Sequence, residues 1–174
     1  MQIVTVILGG SDTTRGAMTM LVGLLLQHPE QWDAVCQDAE LIPGAVSEAL
    51  RYEPSVASFP RFTLEDVELG GHVVPANRVL IMSTLSAMRD PAVHADPDTF
   101  NIRRADQRPR HLVFGAGPHR CLGEALARVE LEEGLAALTA RLPTLHLVGD
   151  PPVIRGHAGI RRVSAMRVGW QQGG

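Results

Sequence analysis

The first 27 residues are almost continuously apolar, and this is the clearest structural signal along the chain. Charged side chains interrupt the segment only at Asp12 and Arg15, and His28-Pro29 ends it. Proline is unfavourable inside a helix because it lacks an N–H donor and clashes with the preceding turn. The pattern therefore predicts one long helix over residues 2–27.

The rest of the chain alternates between shorter helical and extended patterns. We predict a second helix over about 29–40, a third over about 43–52 and a last helix from 123 to about 141. Short apolar runs on either side of Gly70-Gly71 are typical of a β-hairpin. Further short strands are expected before and after the last helix. The predicted fold class is mainly α with a small β component.

Composition narrows the class of protein. The chain has 174 residues, of which 45% are hydrophobic, which suits one ordinary domain with a core. Its net charge of -3 gives no bulk attraction to nucleic acid, so no nucleic-acid partner is expected.

Cys36 and Cys121 are far apart, which argues against a zinc cage or disulfide framework and favours a cytoplasmic location. The uncharged stretch 16–27 is shorter than the ~20 residues of a membrane helix, so no membrane span is expected.

A glycine-rich loop carries Cys121 directly into the last predicted helix. A thiol at a helix N-terminus experiences the positive end of the helix dipole, which favours the thiolate. Gly115, Gly117 and Gly123 permit positive φ angles and a close approach of the backbone to a large flat group. The loop also supplies positive charge and an aromatic wall, from His119, Arg120 and Phe114. The pattern is typical of a thiolate facing a planar anionic cofactor; the alternative is an ordinary buried cysteine.

Two weaker constellations lie upstream of this loop. Gly9-Gly10 in the long helix costs ~1 kcal/mol per glycine relative to alanine, which indicates a bend or the close approach of another group. Thr13 follows Gly9 by four residues, so its hydroxyl can bond the Gly9 carbonyl and stand with Asp12 as an acid–alcohol pair; an ordinary helix crossing is the alternative. Glu48 and Arg51 are three residues apart on one helix face, a spacing that most often belongs to a surface ion pair.

Together these motifs resemble the cytochrome P-450 family, the heme-thiolate monooxygenases. The loop meets every fixed position of the heme-binding pattern F-x-x-G-x-[HR]-x-C-x-G, at Phe114, Gly117, His119, Cys121 and Gly123. The glycine-rich part of the long helix resembles the family motif [AG]-G-x-[DE]-T, and the carboxylate–arginine pair resembles its ExxR motif. The three motifs occur in the order that the family shows.

The resemblance implies a bacterial-type monooxygenase that binds heme b (iron protoporphyrin IX) and uses dioxygen to oxidise a small organic substrate. Cys121 would be the axial ligand of the iron. Asp12 and Thr13 would be the catalytic residues that deliver protons during dioxygen activation. Gly9 and Gly10 would make room for the oxygen.

The resemblance also assigns residues that hold the heme and the loop. Arg61 and His119 would bind the heme propionates. The other loop residues in contact with the heme would be Phe114, Gly115, Gly117 and Gly123. Glu48 and Arg51 would form a buried structural pair, locked to an arginine of the following loop, for which we choose Arg104 over Arg103.

Electrons would come from NAD(P)H through a ferredoxin-type iron–sulfur donor and its reductase. Six basic residues crowd the chain before Cys121, namely Arg103, Arg104, Arg108, Arg110, His111 and Arg120. They form either a basic docking face for an acidic donor or an ordinary solvated loop, and the sequence favours the two interpretations equally.

The resemblance covers only the C-terminal part of the family fold, from the long central helix onward. Residues 1–174 are therefore interpreted as a single partial domain without the N-terminal part. An apolar helix face would then be exposed and favour self-association through residues 2–27; its members are Ile3, Val6, Ile7, Met18, Leu21, Leu24 and Leu25. A non-catalytic heme-binding or sensing module and a heme-free interaction fragment are the alternative functions.

Overall fold

A computed structural model describes residues 2–106 and 111–171 of the chain. Within these residues the helices are α1 (Gln2–Gln27), α2 (Pro29–Gln37), α3 (Ile42–Tyr52), α4 (Thr84–Ala87) and α5 (Glu124–Arg141). The predicted long helix is thus confirmed from residue 2 to residue 27. The expected class, mainly α with a small β component, is confirmed as well.

The second helix is shorter than the sequence pattern predicts. It ends at Gln37, and a 3-10 turn over Ala39–Leu41 follows. The reason is Asp38, whose carboxylate accepts a hydrogen bond from the Glu40 N–H at 3.1 Å. Aspartate competes with the helix for backbone donors in this way, and so restarts the chain in a new turn.

The strands form four separate antiparallel pairs in the described residues. Their bounds are β1 (Ser58–Phe62), β2 (Val67–Leu69), β3 (His72–Val74), β4 (Val79–Ser83), β5 (His146–Leu147), β6 (Ile154–Arg155), β7 (Arg162–Val163) and β8 (Val168–Gly169). β1 pairs with β4, β2 with β3, β5 with β8 and β6 with β7. The hairpin predicted at Gly70-Gly71 is the β2–β3 pair, in which both glycines have positive φ angles.

The hydrophobic core lies where α1, α3 and α5 meet. Leu25 of α1, Val46 of α3 and Leu135 of α5 are all 0% exposed. Burying each side chain of this size contributes about 1.5–3 kcal/mol, so the three helices hold one another in place. This core fixes the two helices that carry the candidate chemistry, α1 and the start of α5.

The apolar face of α1 is less exposed than the sequence suggested. Leu21, Leu24 and Leu25 are buried and Met18 is half-buried against the same core. The expectation of an open face is therefore wrong for these four residues, because α3 and α5 cover this half of the helix. The side chains of Ile3, Val6 and Ile7 lie outside the described residues. Self-association through the helix stays a prediction.

No helix among the described residues is both long enough and apolar enough to cross a membrane.

Candidate functional site

Cys121 is exposed on a loop whose backbone is held by several hydrogen bonds. Its N–H donates to the Phe114 carbonyl at 2.8 Å, and the Arg120 N–H donates to the Gly117 carbonyl at 3.1 Å. Gly115 and Gly117 have φ angles of 73° and 81°, a region that glycine enters without strain. A side chain added at either glycine would meet no atom within 4 Å. The loop therefore presents the thiol beside an open, flat stretch of backbone.

Gly123 has a different role from the one that the sequence suggested. Its φ angle is -89°, so the expectation of a positive φ is wrong at this position. Gly123 is instead the N-cap residue of α5, and a side chain added there would lie 4.0 Å from the Cys121 sulfur. The thiol thus lies two residues before the cap, where the helix dipole favours negative charge.

Arg120 connects the loop to the first turn of α5. The guanidinium donates to both Glu124 carboxylate oxygens at 2.7 and 2.8 Å, and it also donates to the Gly115 carbonyl at 2.8 Å. A two-point arginine–carboxylate pair of this kind fixes orientation as well as distance. We call these contacts the Arg120 clasp. The charge of Arg120 is balanced by Glu124 and is not free beside the sulfur.

Arg128 connects the loop to α3. Its guanidinium lies 5.2 Å from the centroid of the Phe114 ring, 3.7 Å from the Glu124 carboxylate and 3.2 Å from the Ser47 hydroxyl. One of its buried nitrogens has no hydrogen-bond partner among the described residues. Sequence reasoning missed Arg128, although the spacing 120, 124, 128 places all three charges along one side of the chain at the helix start.

The long helix approaches the loop at Thr13. A cleft of about 30 Å³ is lined in part by Thr13 of α1, Phe114 of the loop and Ala127 of α5. The Thr13 hydroxyl donates to the Gly9 carbonyl at 2.7 Å, the bond that the spacing allowed. Side chains added at Gly9 and Gly10 would meet no atom within 4 Å. This stretch of α1 therefore has open space beside its backbone.

Asp12 faces a different direction from Thr13. Its carboxylate is exposed and pairs with Arg15 at 2.8 Å. It lines a separate cavity between α1 and the C-terminal strands. The two members of the expected acid–alcohol pair thus lie on neighbouring faces of the helix, one toward the loop and one toward solvent.

Arg61 shares a cavity with the cysteine loop. This cavity has a volume of about 400 Å³, and its lining includes Arg61 of β1, Met82 of β4, and Leu112, Gly115 and Gly117 of the loop. The Arg61 guanidinium donates to the Pro60 carbonyl at 2.8 Å and makes no ion pair within the part of the chain that the structure describes. His119 is exposed and is not among the residues that line this cavity.

Glu48, Arg51 and Arg104 meet in the protein interior. Glu48 is 0% and Arg51 2% exposed, and two nitrogens of Arg51 each donate to the Glu48 carboxylate at 2.8 Å. Arg104 donates to the same carboxylate at 3.1 Å. The structure therefore places Arg104, rather than the exposed Arg103, against Glu48.

Backbone carbonyls complete this buried group. Arg51 also donates to the carbonyls of Met88, Pro97 and Thr99, at 3.0, 2.8 and 3.1 Å. Arg104 donates to the Thr99 carbonyl at 2.8 Å. Buried charges are tolerated when every donor and acceptor finds a partner, as here. The loop that leads to Cys121 is anchored to α3 through these bonds.

His111 is buried rather than part of a basic surface. It is 3% exposed, and burial, reinforced by the nearby charges of Arg128 and His94, lowers its pKa from 6.5 to about 4. The carboxylates of Glu48 and Glu124 oppose this shift without reversing it. His111 is therefore neutral near pH 7, and it contributes no positive charge to a docking face.

The other members of the proposed basic face divide into three groups. Arg104 is buried on Glu48, and Arg120 is paired with Glu124. Arg103 is exposed. Arg108 and Arg110 lie outside the described residues. A docking face for an acidic donor would thus have fewer free positive charges than the sequence suggested.

Cys36 provides a contrast with Cys121. It is half-buried, and burial, with a contribution from the Asp33 carboxylate, raises the pKa of its thiol. A raised pKa disfavours the thiolate, which is the form that binds metals. Of the two cysteines, only Cys121 is exposed and at a helix start.

Comparisons with known proteins all point to one family. The family model described as Cytochrome P450 matches residues 1–142. The plant-inducible cytochrome P450-pinF1 of Rhizobium radiobacter is 48% identical over 168 residues, which are 97% of this chain and 40% of that protein. The vitamin D3 dihydroxylase of Streptomyces griseolus is 40% identical over 94% of this chain and 41% of its own length.

Solved structures show the same likeness. Cytochrome P450 CREJ, in complex with (4-ethylphenyl) dihydrogen phosphate, superposes with a TM-score of 0.93 at 35% identity, covering 98% of this chain and 42% of that one. The tirandamycin C-bound monooxygenase TamI gives a TM-score of 0.92 at 32% identity, over 98% of this chain and 43% of its own. The chain thus spans about 40% of the length of the relatives it matches.

Proposed function

Because this chain belongs to the cytochrome P450 family, we propose that Cys121 is the axial ligand of a heme iron and that the protein is a heme-thiolate monooxygenase acting on a small organic substrate. One observation carries the proposal. The Cys121 thiol is exposed at the start of α5, on a loop fixed by the Phe114 carbonyl and by the Arg120 clasp. A cysteine exposed in this way has no packing role, and its sulfur is accessible to a bound cofactor.

The residues around the thiol suit heme b. A porphyrin is flat, largely apolar and carries two propionates. The open backbone at Gly115 and Gly117 leaves room for a flat face. Leu112 and Met82 supply apolar contacts in the adjoining cavity, and Arg61 supplies a cation there without a carboxylate partner among the described residues. We therefore propose Arg61 as a propionate ligand; His119, which is exposed, would be the other.

When bound, the heme supplies the iron chemistry that activates dioxygen, and a thiolate ligand favours cleavage of the O–O bond. The protein would supply protons from α1. The Thr13 hydroxyl donates a hydrogen bond to the Gly9 carbonyl, so its oxygen can accept a hydrogen bond in the cleft beside Phe114. Asp12 is exposed, so its carboxylate can exchange protons with water. Gly9 and Gly10 leave the space that a small reactant needs.

The buried group around Glu48 would hold in place the chain segment that precedes the cysteine loop. It holds the loop of residues 95–104 on α3, while Arg128 links α3 to Phe114 through Ser47. A ligand loop fixed from two sides keeps the sulfur position constant, which a reactive site requires. Electrons would come from NAD(P)H through a ferredoxin-type donor and its reductase.

Heme titration of the chain tests the proposal, with the absorption spectrum as the readout. A saturable 1:1 complex that is lost in Cys121→Ser and kept in Cys36→Ser is expected. Absence of a stoichiometric complex in the parent chain would contradict the assignment. Oxygen consumption driven by NAD(P)H, with a ferredoxin and its reductase, then separates a monooxygenase from a heme-binding module, since only the monooxygenase consumes oxygen with formation of an oxidised product.

A further inference from the structure

A cavity of about 550 Å³ lies between α1 and the β6–β7 hairpin. One wall is the side of α1 that carries Asp12, Arg15, Gly16 and Thr19, and the other is the segment 160–163. Asp12 is a residue that we propose to act in proton delivery. The cavity is large enough for a small organic molecule or a part of one.

The hairpin wall is fixed rather than loosely attached. Arg161 is buried, and its guanidinium contacts the Glu53 carboxylate and donates to the Gly156 carbonyl at 3.2 Å. Its backbone N–H donates to the Ser55 carbonyl at 2.8 Å, and the Ala57 N–H donates to the Gly159 carbonyl at 2.8 Å. These bonds tie the turn to the chain just after α3. Side chains next to Arg161 are therefore presented in a defined position.

Two arginines face each other on this hairpin. Arg155 of β6 lies directly opposite Arg162 of β7 in the antiparallel register. Directly opposed residues project from the same face of a strand pair, and like charges in this arrangement destabilise it. Both side chains are exposed, and neither lies within 4.0 Å of a carboxylate in the described part of the chain. Arg162 also lines the cavity.

The acidic residue of the cavity does not balance these charges. Asp12 is already paired with Arg15 across one turn of α1, at 2.8 Å. Arg161 is balanced by Glu53. Arg162 therefore lines the cavity with a charge that no carboxylate of the described residues balances. Arg155 lies beside it on the same face of the hairpin but does not itself line the cavity. A carboxylate or phosphate placed between them would remove the cross-strand repulsion and form charge-assisted hydrogen bonds.

We propose that this cavity binds the anionic group of a carboxylated or phosphorylated substrate, with Arg162 as the direct contact and Arg155 beside it. The proposal rests on the proposed function, since it treats the molecule that enters beside Asp12 as the substrate of the monooxygenase. The anionic group would occupy the mouth, and the apolar remainder would lie in the cavity against Ile160 and Val163. Arg161 is the positioning residue of this site, because its charge is already balanced by Glu53 and its hydrogen bonds hold the hairpin wall in place.

Calorimetric titration of the chain with phenyl phosphate tests the anion site without any need for heme. We expect saturable binding that weakens as salt is raised, at least tenfold weaker binding in Arg162→Gln, and a smaller loss in Arg155→Gln. Arg162→Lys should retain part of the affinity. Arg141→Gln, which removes an exposed arginine at the end of α5, is the matched control and should bind as the parent does.

Three results would overturn the proposal. They are equal affinity in the parent and in the Arg155→Gln/Arg162→Gln double variant, equal affinity for benzyl alcohol and phenyl phosphate, or equal affinity for inorganic phosphate and phenyl phosphate. The first two exclude a role for the arginines, and the third excludes a role for the cavity behind them. Failure of heme binding with phenyl phosphate binding intact would instead contradict the proposed function alone.

Discussion

Arg51 and Glu48 form a two-point ion pair within a single helix, with Nε and Nη2 of Arg51 each 2.8 Å from a carboxylate oxygen of Glu48. The same carboxylate accepts a further bond from Arg104, 56 residues along the chain. A pair that is usually a surface feature is here the buried anchor of a long loop. Arg104 precedes the cysteine loop in sequence, so this pair fixes the segment around residue 104 on α3.

Glu48→Gln should destabilise the fold strongly. The substitution leaves two buried guanidinium groups without their shared counter-charge, and breaking a buried pair in this way costs about 3–5 kcal/mol. Urea unfolding followed by circular dichroism measures the loss. Glu65→Gln, an exposed carboxylate outside any ion pair of the described residues, should change the free energy of unfolding little. Equal stability of Glu48→Gln and the parent would show that the network contributes nothing.

Glu124→Gln should loosen the cysteine loop without unfolding the protein. It removes the charged half of the Arg120 clasp, which we expect to lower the free energy of unfolding by about 1–2 kcal/mol. The Cys121 amide, now bonded to the Phe114 carbonyl at 2.8 Å, should exchange its hydrogen faster. Glu133→Gln on the exposed side of α5 serves as the control. Unchanged exchange at residues 115–121 in Glu124→Gln would rule out the clasp as the element that holds the loop.

His111 should make the protein acid-sensitive. Its pKa falls from 6.5 to about 4 on folding, so below pH 6.5 the unfolded chain binds a proton that the folded chain excludes. Stability is therefore fully present above pH 6.5 and is lost as the pH falls toward about 4, by ~3 kcal/mol in total. Unfolding curves recorded across this window measure the slope. His111→Gln should flatten it, whereas the exposed His72→Gln should not; a parent slope equal to that of His111→Gln would contradict the assignment.

Thr13→Ala should separate heme binding from productive turnover. The side chain lines a cleft with Phe114 but makes no bond to the cysteine loop in the described residues, so heme affinity should stay close to that of the parent. Reducing equivalents should instead be diverted to hydrogen peroxide. The ratio of peroxide to oxidised product per NAD(P)H measures the effect, and Thr13→Ser should restore the parent ratio. Full coupling in Thr13→Ala would exclude proton delivery through this hydroxyl.

The sequence predicted the elements with a strong local signal. The length of α1 follows from its apolar run and the proline after it, and the β2–β3 hairpin follows from Gly70-Gly71. The hydrogen bond from Thr13 to the Gly9 carbonyl follows from their spacing alone. Helix periods and turn residues act over a few positions, so a single sequence contains them.

What the sequence could not supply was long-range pairing and burial. Arg161 reaches Glu53 across 108 positions, and no local pattern connects them. The sequence favoured a basic docking face and a solvated loop equally for His111, because its neighbours in sequence are arginines, whereas the structure buries it close to the charges of Arg128 and Glu48. The part of the expected open face of α1 that carries Leu21, Leu24 and Leu25 is likewise covered by α3 and α5. Contacts of this kind depend on how distant elements pack.

The central claim is that Cys121 ligates a heme iron, and the absorption spectrum of the reduced, heme-loaded chain with carbon monoxide tests it most directly. Thiolate ligation gives a strongly red-shifted Soret band, which we predict for the parent and for Cys36→Ser. Cys121→His should bind heme without that band. A red-shifted band that persists in Cys121→His, or one that is absent from the heme-loaded parent, would contradict the account.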